Sequence, residues 1–182
     1  MRGDRILLAV SLCALAALFL GCAGIRNGPT STPGGVISST DGKCQVRVPE
    51  GWAARQDLNE QAHLQASCER ADAYLLVISE PKIDFADHLT YRDYAELTIR
   101  TFRNKAQNVR IVHGPKDVII NGLPGVQYEI HATVNDVQLV YLRTVIDGTD
   151  VFHQLSAWTI RSKAPGNLGV LHEVTNSFRE TK

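Results

Sequence analysis

Residues 126–146 of this 182-residue chain, VQYEIHATVNDVQLVYLRTVI, give the clearest indication of its fold. Apolar and polar side chains alternate strictly from 126 to 134, which is the period of a β-strand with one buried face. Asn135 and Asp136 then occupy the two positions of a tight hairpin turn. Residues 137–146 return as a second strand. The stretch therefore predicts an antiparallel β-hairpin.

The segments on either side extend this hairpin into a sheet. Asp147 and Gly148 turn the second strand into a third at 151–159, and Asn121-Gly122 turns residues 117–120 back towards the first. Residues 74–78 are apolar on both faces, as in a strand covered from both sides. We predict a sheet that is mostly antiparallel.

Two amphipathic segments predict helices that pack on this sheet. Thr90 is the expected N-cap of the first helix. Its apolar face comprises Tyr91, Tyr94, Ala95, Thr98 and Phe102. The second helix is expected to start after Pro165 with Asn167 as its cap. It directs Val170, Leu171, Val174 and Phe178 inward. The fold class predicted from these elements is α+β.

Two further alternating segments, 44–48 and 64–68, are predicted to pair with Cys44 opposite Cys68. That register also sets Val46 against Ala66, so the partners lie on the apolar face of each strand. Opposed residues of an antiparallel pair are within reach of a disulfide, and exported cysteines normally pair. We therefore predict a Cys44–Cys68 disulfide, with two buried free thiols as the alternative.

The N-terminus carries an export signal. Arg2 and Arg5 precede an apolar run over residues 6–20, which has the length of a signal-peptide core and is shorter than a membrane span. The run ends in Gly21-Cys22, which resembles the lipobox of bacterial lipoproteins. That resemblance implies cleavage before Cys22 and acylation of its thiol. The alternative is an ordinary secretory signal in which Cys22 is incidental.

These segments divide the chain into three parts. Residues 1–21 form the signal peptide, 22–35 the lipidated cysteine and a Gly/Pro/Ser-rich tether, and 36–182 a single domain. Ala23 after the cysteine, by resemblance to enteric sorting, favours the outer membrane over the inner one. The predicted location is thus the cell envelope, facing the periplasm.

The charge balance excludes one class of partner. The chain has 19 Lys+Arg and 19 Asp+Glu, and the mature part keeps 17 and 18. Nucleic acid or an anionic surface would require a basic excess or a basic stripe. The composition therefore predicts no nucleic-acid partner and no general affinity for anionic surfaces.

Five short segments carry a resemblance to a known family. They are VPEGW at 48–52, LTYRDYA at 89–95, INGLPG at 120–125, AW at 157–158 and SF at 177–178. In this order and spacing they resemble the PsbP-like family, which includes DcrB-type bacterial lipoproteins. The resemblance implies an α/β/α sandwich and an accessory or binding role without established catalysis.

The sequence contains few signs of catalytic or metal chemistry. The sequence has no G-x-S-x-G, H-E-x-x-H, phosphate-binding glycine loop or C-x-x-C, and no cofactor is predicted. Asp84, Asp87 and His88 could contribute ligands to a divalent ion, but one loop supplies too few for a tight site. We interpret them as turn and solvent-exposed residues and predict no metal. Trp52 and Trp158 could line a groove, although core packing explains them better.

The predicted function is that of a membrane-anchored envelope lipoprotein with an accessory or binding role, whose protein partner the sequence does not identify. Two alternatives remain open at this stage. One is a hydrolytic or metal-dependent enzyme whose site forms only in three dimensions. The other is a small-ligand carrier with a deep apolar cavity between sheet and helix.

Overall fold

The computed structural model describes residues 34–181. The strands that it describes are β1 (Gly35–Ser38), β2 (Cys44–Val48), β3 (Ala53–Ala54), β4 (Leu64–Cys68), β5 (Ala73–Pro81), β6 (Gln107–Ile120), β7 (Leu123–Val134), β8 (Val137–Asp147), β9 (Val151–Ile160) and β10 (Arg179–Glu180). The α-helices are α1 (Tyr91–Arg103) and α2 (Ala164–Asn176). Single 3₁₀ turns lie at Glu69–Ala71, Lys82–Asp84 and Arg161–Lys163.

Seven strands form one large antiparallel sheet in the order β3-β4-β5-β9-β8-β7-β6. The predicted hairpin is confirmed, because β7 and β8 pair in register from Gly125 with Ile146 to Val134 with Val137. Asn135 and Asp136 connect them with positive φ angles of 49° and 64°. Both turn residues are thus left-handed, as a two-residue turn with the twist of the flanking strands requires.

Two layers cover the large sheet. On one face lie α2 and a small antiparallel sheet, ordered β1-β2-β10, and together they bury a first core cluster. On the other face lies α1, which buries a second cluster rich in aromatic residues. This arrangement is the predicted α+β sandwich. Within residues 34–181 neither helix combines the length and hydropathy that a membrane span needs.

Helix α1 begins where the sequence predicts. The Thr90 hydroxyl accepts from the backbone N–H of Asp93, and the Asp93 carboxylate accepts from the backbone N–H of Thr90. This reciprocal pair satisfies two N–H groups that would otherwise lack partners at the helix start. The buried face of α1 then repeats at helical spacing.

Helix α2 begins differently from the prediction. It starts at Ala164, and Asn167 lies within its first turn rather than at its cap. The Asn167 amide instead donates to the carbonyl of Ala71 and to the hydroxyl of Thr159, both at 2.7 Å. Asn167 therefore attaches the helix to the sheet. An Asn near the start of a helix is expected for either role, so the residue type alone does not distinguish this tertiary contact from a cap.

The predicted hairpin between 44–48 and 64–68 is wrong. Strand β2 pairs with β1 and β10 in the small sheet, whereas β4 pairs with β3 and β5 in the large one. Both strands contribute to the first core cluster, so each buries its apolar face without the two being neighbours. Alternation reveals which face of a strand is buried but not which strand lies beside it.

The predicted disulfide is also wrong, because it depended on pairing β2 with β4. Cys44 and Cys68 are free thiols, Cys44 buried and Cys68 half-buried. Burial raises the pKa of the Cys44 thiol to about 11, so this thiol is protonated at neutral pH. Protonated and buried, Cys44 behaves as a small apolar core residue.

The segments that carry the family resemblance have structural roles. The Asn121 amide donates to the backbone carbonyl of Phe178 at 2.6 Å, which ties the β6–β7 turn to the chain entering β10. The Ser177 hydroxyl accepts from the backbone N–H of Arg47 and also lies 3.0 Å from its carbonyl. Trp52 is buried in the first core cluster. These residues hold the small sheet against the large one.

Candidate functional site

His153 is the centre of the candidate site. It lies on β9, with its side chain on the face that carries Leu155 and Ala157 into the first core cluster, and only 2% of that side chain is exposed. Ser79 is its partner directly across the β5–β9 pair. The Ser79 hydroxyl oxygen is 2.8 Å from Nδ1 of His153.

Glu180 completes the arrangement from the small sheet. Its Oε1 is 2.9 Å from Nε2 of His153. The same carboxylate accepts from the backbone N–H of Thr149 at 3.0 Å and from the Thr149 hydroxyl at 2.9 Å. We call Ser79, Thr149, His153 and Glu180 the His153 network. It joins β5, β9, the β8–β9 loop and β10.

The protonation states follow from the partners. Burial alone would raise the pKa of Glu180, but the hydrogen bonds from His153 and Thr149 outweigh it, and the pKa lies below its ordinary value. Burial lowers the pKa of His153 despite the opposing effect of Glu180. An ionised carboxylate can only accept, so a neutral His153 carries its proton on Nε2. Its Nδ1 then accepts from the Ser79 hydroxyl.

The β8–β9 loop packs tightly on the network. A Cβ on Gly148 would lie 2.8 Å from Nε2 of His153, so only glycine leaves room for the imidazole there. Lys82 holds the loop from outside, with Nζ 2.7 Å from Asp147 and 2.6 Å from the carbonyl of Gly148. The loop therefore covers the histidine.

A serine, histidine and glutamate in this order have the polarity of a hydrolase triad, in which the imidazole accepts the serine proton. Such a site also needs N–H donors aimed at the developing oxyanion. Three backbone donors of the residues around His153 are already engaged. The N–H of Ser79 donates to Nδ1 of His63, that of Gly148 to the carbonyl of Val151, and that of Thr149 to Glu180. The arrangement suits a clamp between sheets better than catalysis.

Removing the Glu180 carboxylate tests this clamp. We expect Glu180→Ala to lower the free energy of unfolding by about 2 kcal/mol, because the buried N–H of His153 loses its acceptor. Glu180→Gln keeps the side-chain volume and one acceptor oxygen and should cost less than about 1 kcal/mol. Urea denaturation of the mature chain measures both. Equal effects of the two variants would contradict a hydrogen-bonding role.

The network also predicts a pH dependence. Because the pKa of His153 is lowered in the folded chain, the unfolded chain takes up a proton first as the pH falls below the ordinary value of 6.5. Stability is therefore present above that pH and is lost as the pH falls towards the lowered value. Glu180 adds a loss in the same direction below its ordinary value of 4.5. The neighbouring charges of His63 and Asp41 act on His153 in opposite directions.

Denaturation midpoints between pH 7.5 and pH 5 measure this dependence. The variant His153→Gln should lose less stability over that range than the wild-type chain. His88→Gln, at an exposed histidine, serves as the control and should follow the wild type. A His153→Gln variant with the wild-type slope would show that another group controls the acid response.

The residues singled out from sequence lie elsewhere. Asp84 ends the 3₁₀ turn, and Asp87 and His88 follow it in the exposed loop before α1. Within residues 34–181 no three His, Cys, Asp or Glu side chains are grouped as metal ligands would be. We expect the metal content of the purified protein to be unchanged when all three residues are replaced by Ala. Elemental analysis checks this prediction.

Cys22, the predicted acylation site, lies outside the described residues.

Both tryptophans belong to the core, as predicted. Trp158 is buried and stacks on Tyr74 at a centroid distance of 5.3 Å and on Tyr141 at 6.0 Å. His153 is satisfied by its contacts with Ser79 and Glu180. The sequence did contain a sign that His153 is buried, because it shares the inward side of one strand with Leu155 and Ala157. Nothing local pointed to Ser79 or Glu180 as its partners.

Neither a family model nor a curated protein sequence matches this chain. Solved structures do match it. CyanoP from the cyanobacterium Synechocystis superposes with a TM-score of 0.61 at 15% identity, over 89% of this chain and 99% of that one. LpqN of Mycobacterium tuberculosis, involved in cell envelope biogenesis, superposes with a TM-score of 0.57 at 11% identity, over 83% and 87%.

A eukaryotic protein shares the architecture as well. The Ran-binding protein Mog1p of Saccharomyces cerevisiae has a TM-score of 0.52 at 11% identity, over 82% of this chain and 96% of that one. At such identities a superposition demonstrates the fold, and one fold hosts several functions. CyanoP is the cyanobacterial PsbP, and the match extends over nearly its whole length. This chain therefore has the PsbP-like fold.

Proposed function

We propose that this chain is a bacterial envelope lipoprotein, anchored by acyl chains on Cys22, with a non-catalytic accessory or binding role. The observation that carries the non-catalytic role is the state of the His153 network. Its histidine is buried, its carboxylate is held by Thr149, and the adjacent backbone donors are engaged. Residue types that could perform hydrolysis are used here to join two sheets.

The envelope location draws on two further observations. LpqN, which shares the fold, is involved in cell envelope biogenesis. In addition, the first described strand starts at Gly35, where the predicted tether of residues 22–35 ends. A folded domain that follows its anchor after a short polar segment is the layout of a membrane-tethered protein. The proposed location is the periplasmic side of the outer membrane, because Ala23 follows Cys22 and, by resemblance to enteric sorting, favours that membrane.

The side chains between α1 and the large sheet argue against a small-ligand carrier. Tyr94 stacks on Phe152 at a centroid distance of 4.9 Å, and Phe85 contacts both rings edge-on. Further along the helix, Phe102 meets Tyr141 at 5.0 Å. Rings in contact along the helix fill the space where a carrier would need its cavity. An accessory or protein-binding role is favoured for this reason.

Intact mass spectrometry of the membrane fraction tests the anchor. We expect a chain that begins at Cys22 and carries acyl mass. Cys22→Ser should abolish that mass and release the protein from membranes, whereas Cys13→Ser, within the predicted signal, should not. Separation of the two membranes by density checks the outer-membrane assignment. A soluble wild-type chain that begins elsewhere would refute the anchor.

A hydrolase is the second candidate, and the Ser79–His153–Glu180 order is the observation that favours it. A fluorophosphonate probe labels serines activated by a base. We expect no labelling of Ser79 in the native protein. Labelling that disappears in Ser79→Ala but persists in Ser67→Ala, at a buried serine of β4, would establish a reactive serine and overturn the non-catalytic role.

A further inference from the structure

The outward face of the small sheet is basic. Cys44, Val46 and Val48 of β2 point into the core, so the alternate positions point outward. Arg47 is exposed on this outward face, and Arg179 of β10 stands beside the neighbouring Gln45 in the pairing register. Among residues 34–181, Lys43, one residue before β2, is the remaining outward cation of this sheet. We call Lys43, Arg47 and Arg179 the basic face.

Few acids offset these cations. Asp41, in the β1–β2 turn, accepts from the Ser39 hydroxyl at 2.6 Å and from the backbone N–H of Lys43 at 3.1 Å, and its charge offsets part of that of Lys43. Glu180 belongs to the same sheet but lies on its inner side, bound to His153. The other exposed acids that the structure describes in this layer are Glu50, beyond the end of β2, and Glu173, on α2. The face thus keeps a positive excess although the mature chain has one more acid than base.

The basic face is also the part of the domain joined to the N-terminal segment. Strand β1 forms its edge, and Val36, 54% exposed, stands beside Arg47 in the register. Twelve residue-to-residue steps separate Cys22 from Gly34, which limits the distance between them to about 40 Å. The single charged residue in this segment is Arg26. A bilayer that holds Cys22 is therefore within reach of the face.

We propose that the basic face docks on the anionic phospholipid headgroups of the membrane that carries the anchor. This inference rests on the proposed acylation of Cys22. Each Lys or Arg near an anionic surface adds a small attraction, and a tether makes weak contacts effective because it keeps the two surfaces together. Docking in this way turns α1, on the opposite side of the large sheet, away from the membrane and towards other envelope proteins.

The balanced total charge of the chain predicts no general affinity for anionic surfaces. Folding changes that expectation by sorting the charges in space. The three cations come from residues 43, 47 and 179, and only the β2–β10 pairing brings the last of them beside the others. A basic face of this kind cannot be detected from composition.

Vesicle partitioning of the mature chain carrying Cys22→Ser tests the proposal without any contribution from acyl chains. We expect at least about tenfold stronger binding to vesicles of phosphatidylglycerol and phosphatidylethanolamine in equal parts than to phosphatidylcholine vesicles. Binding should be lost in about 0.5 M salt, where the Debye length falls to about 4 Å. The triple variant Lys43→Gln, Arg47→Gln, Arg179→Gln should bind both vesicles equally weakly.

A matched variant removes the same charge elsewhere. Arg103→Gln, Arg110→Gln, Lys116→Gln takes three exposed cations from α1 and β6 and should bind like the unmodified surface. Equal binding of the chain to both vesicle types, or equal loss in the two triple variants, would overturn the proposal. The proposal would also be overturned if the basic face bound an acidic protein but did not bind the anionic vesicles. The mass of the membrane-bound chain tests acylation independently of these vesicle experiments.

Discussion

Replacing Phe178 by Ala should lower the free energy of unfolding by about 4 kcal/mol, the effect of a cavity at a fully buried aromatic residue. Phe178 has 0% exposure and packs in the first core cluster with Leu171 and Val174 of α2. Its ring also lies 4.8 Å from the ring of His153, centroid to centroid. The substitution therefore weakens the core and the support of the His153 network together.

Thermal denaturation of the mature chain measures this effect, and we expect a fall in melting temperature of about 10 °C. Phe178→Leu, which leaves a smaller void, should lose about half as much. Ile119→Ala is the matched control, because Ile119 is an apolar strand residue that is 79% exposed. A Phe178→Ala chain as stable as the Ile119→Ala chain would contradict the packing described above.

Replacing Gly125 by Ala should cost about 3 kcal/mol, the upper range for overpacking between rigid groups. Gly125 is buried in β7, between β6 and β8, and pairs with Ile146 of β8. A Cβ at this position would stand 2.5 Å from the backbone carbonyl oxygen of Val145 and 3.4 Å from Cα of Ile146. Backbone atoms within a sheet cannot rotate away, so the two strands would have to separate.

A second glycine provides the control for this prediction. Gly169 lies within α2, where a Cβ would have no atom within 4 Å. Gly169→Ala should therefore stabilise the chain by about 0.5–1 kcal/mol, because alanine loses less backbone freedom on folding. Urea denaturation of both variants compares them directly. The same sign of change in both would show that close approach of backbones does not explain Gly125.

These two residues explain the family resemblance in physical terms. Gly125 ends the INGLPG segment, where two strands approach closely, and Phe178 ends the SF segment, where the chain enters β10. Asn121 joins the two segments by donating to the carbonyl of Phe178. The segments that identify the fold are the ones that assemble it. They carry no information about a ligand or a reaction.

Local features made the large sheet and the first helix predictable. The turn at Asn135 and Asp136 requires left-handed residues, and Asn and Asp adopt that conformation more readily than most. Thr90 and Asp93 satisfy each other three residues apart. In each case the residues that decide the structure are neighbours in sequence, so pattern and physical cause coincide.

Contacts between distant residues could not be predicted in the same way. Strand β2 has the same alternation whether it pairs with β4, as we predicted, or with β1 and β10, as it does. Asn167 had the residue type of a cap but binds Ala71 and Thr159 instead. A single residue's chemistry is compatible with several partners, and packing selects among them.

Side-chain period, turn residues and short segments were sufficient to predict the antiparallel sheet, the start of α1 and the PsbP-like fold. They did not predict that Ser79, His153 and Glu180 meet, that Cys44 and Cys68 are free thiols, or that the small sheet has a basic face. Each of these depends on which strands lie side by side. Which strands become neighbours depends on the packing of the whole core, so a local sequence pattern does not predict it.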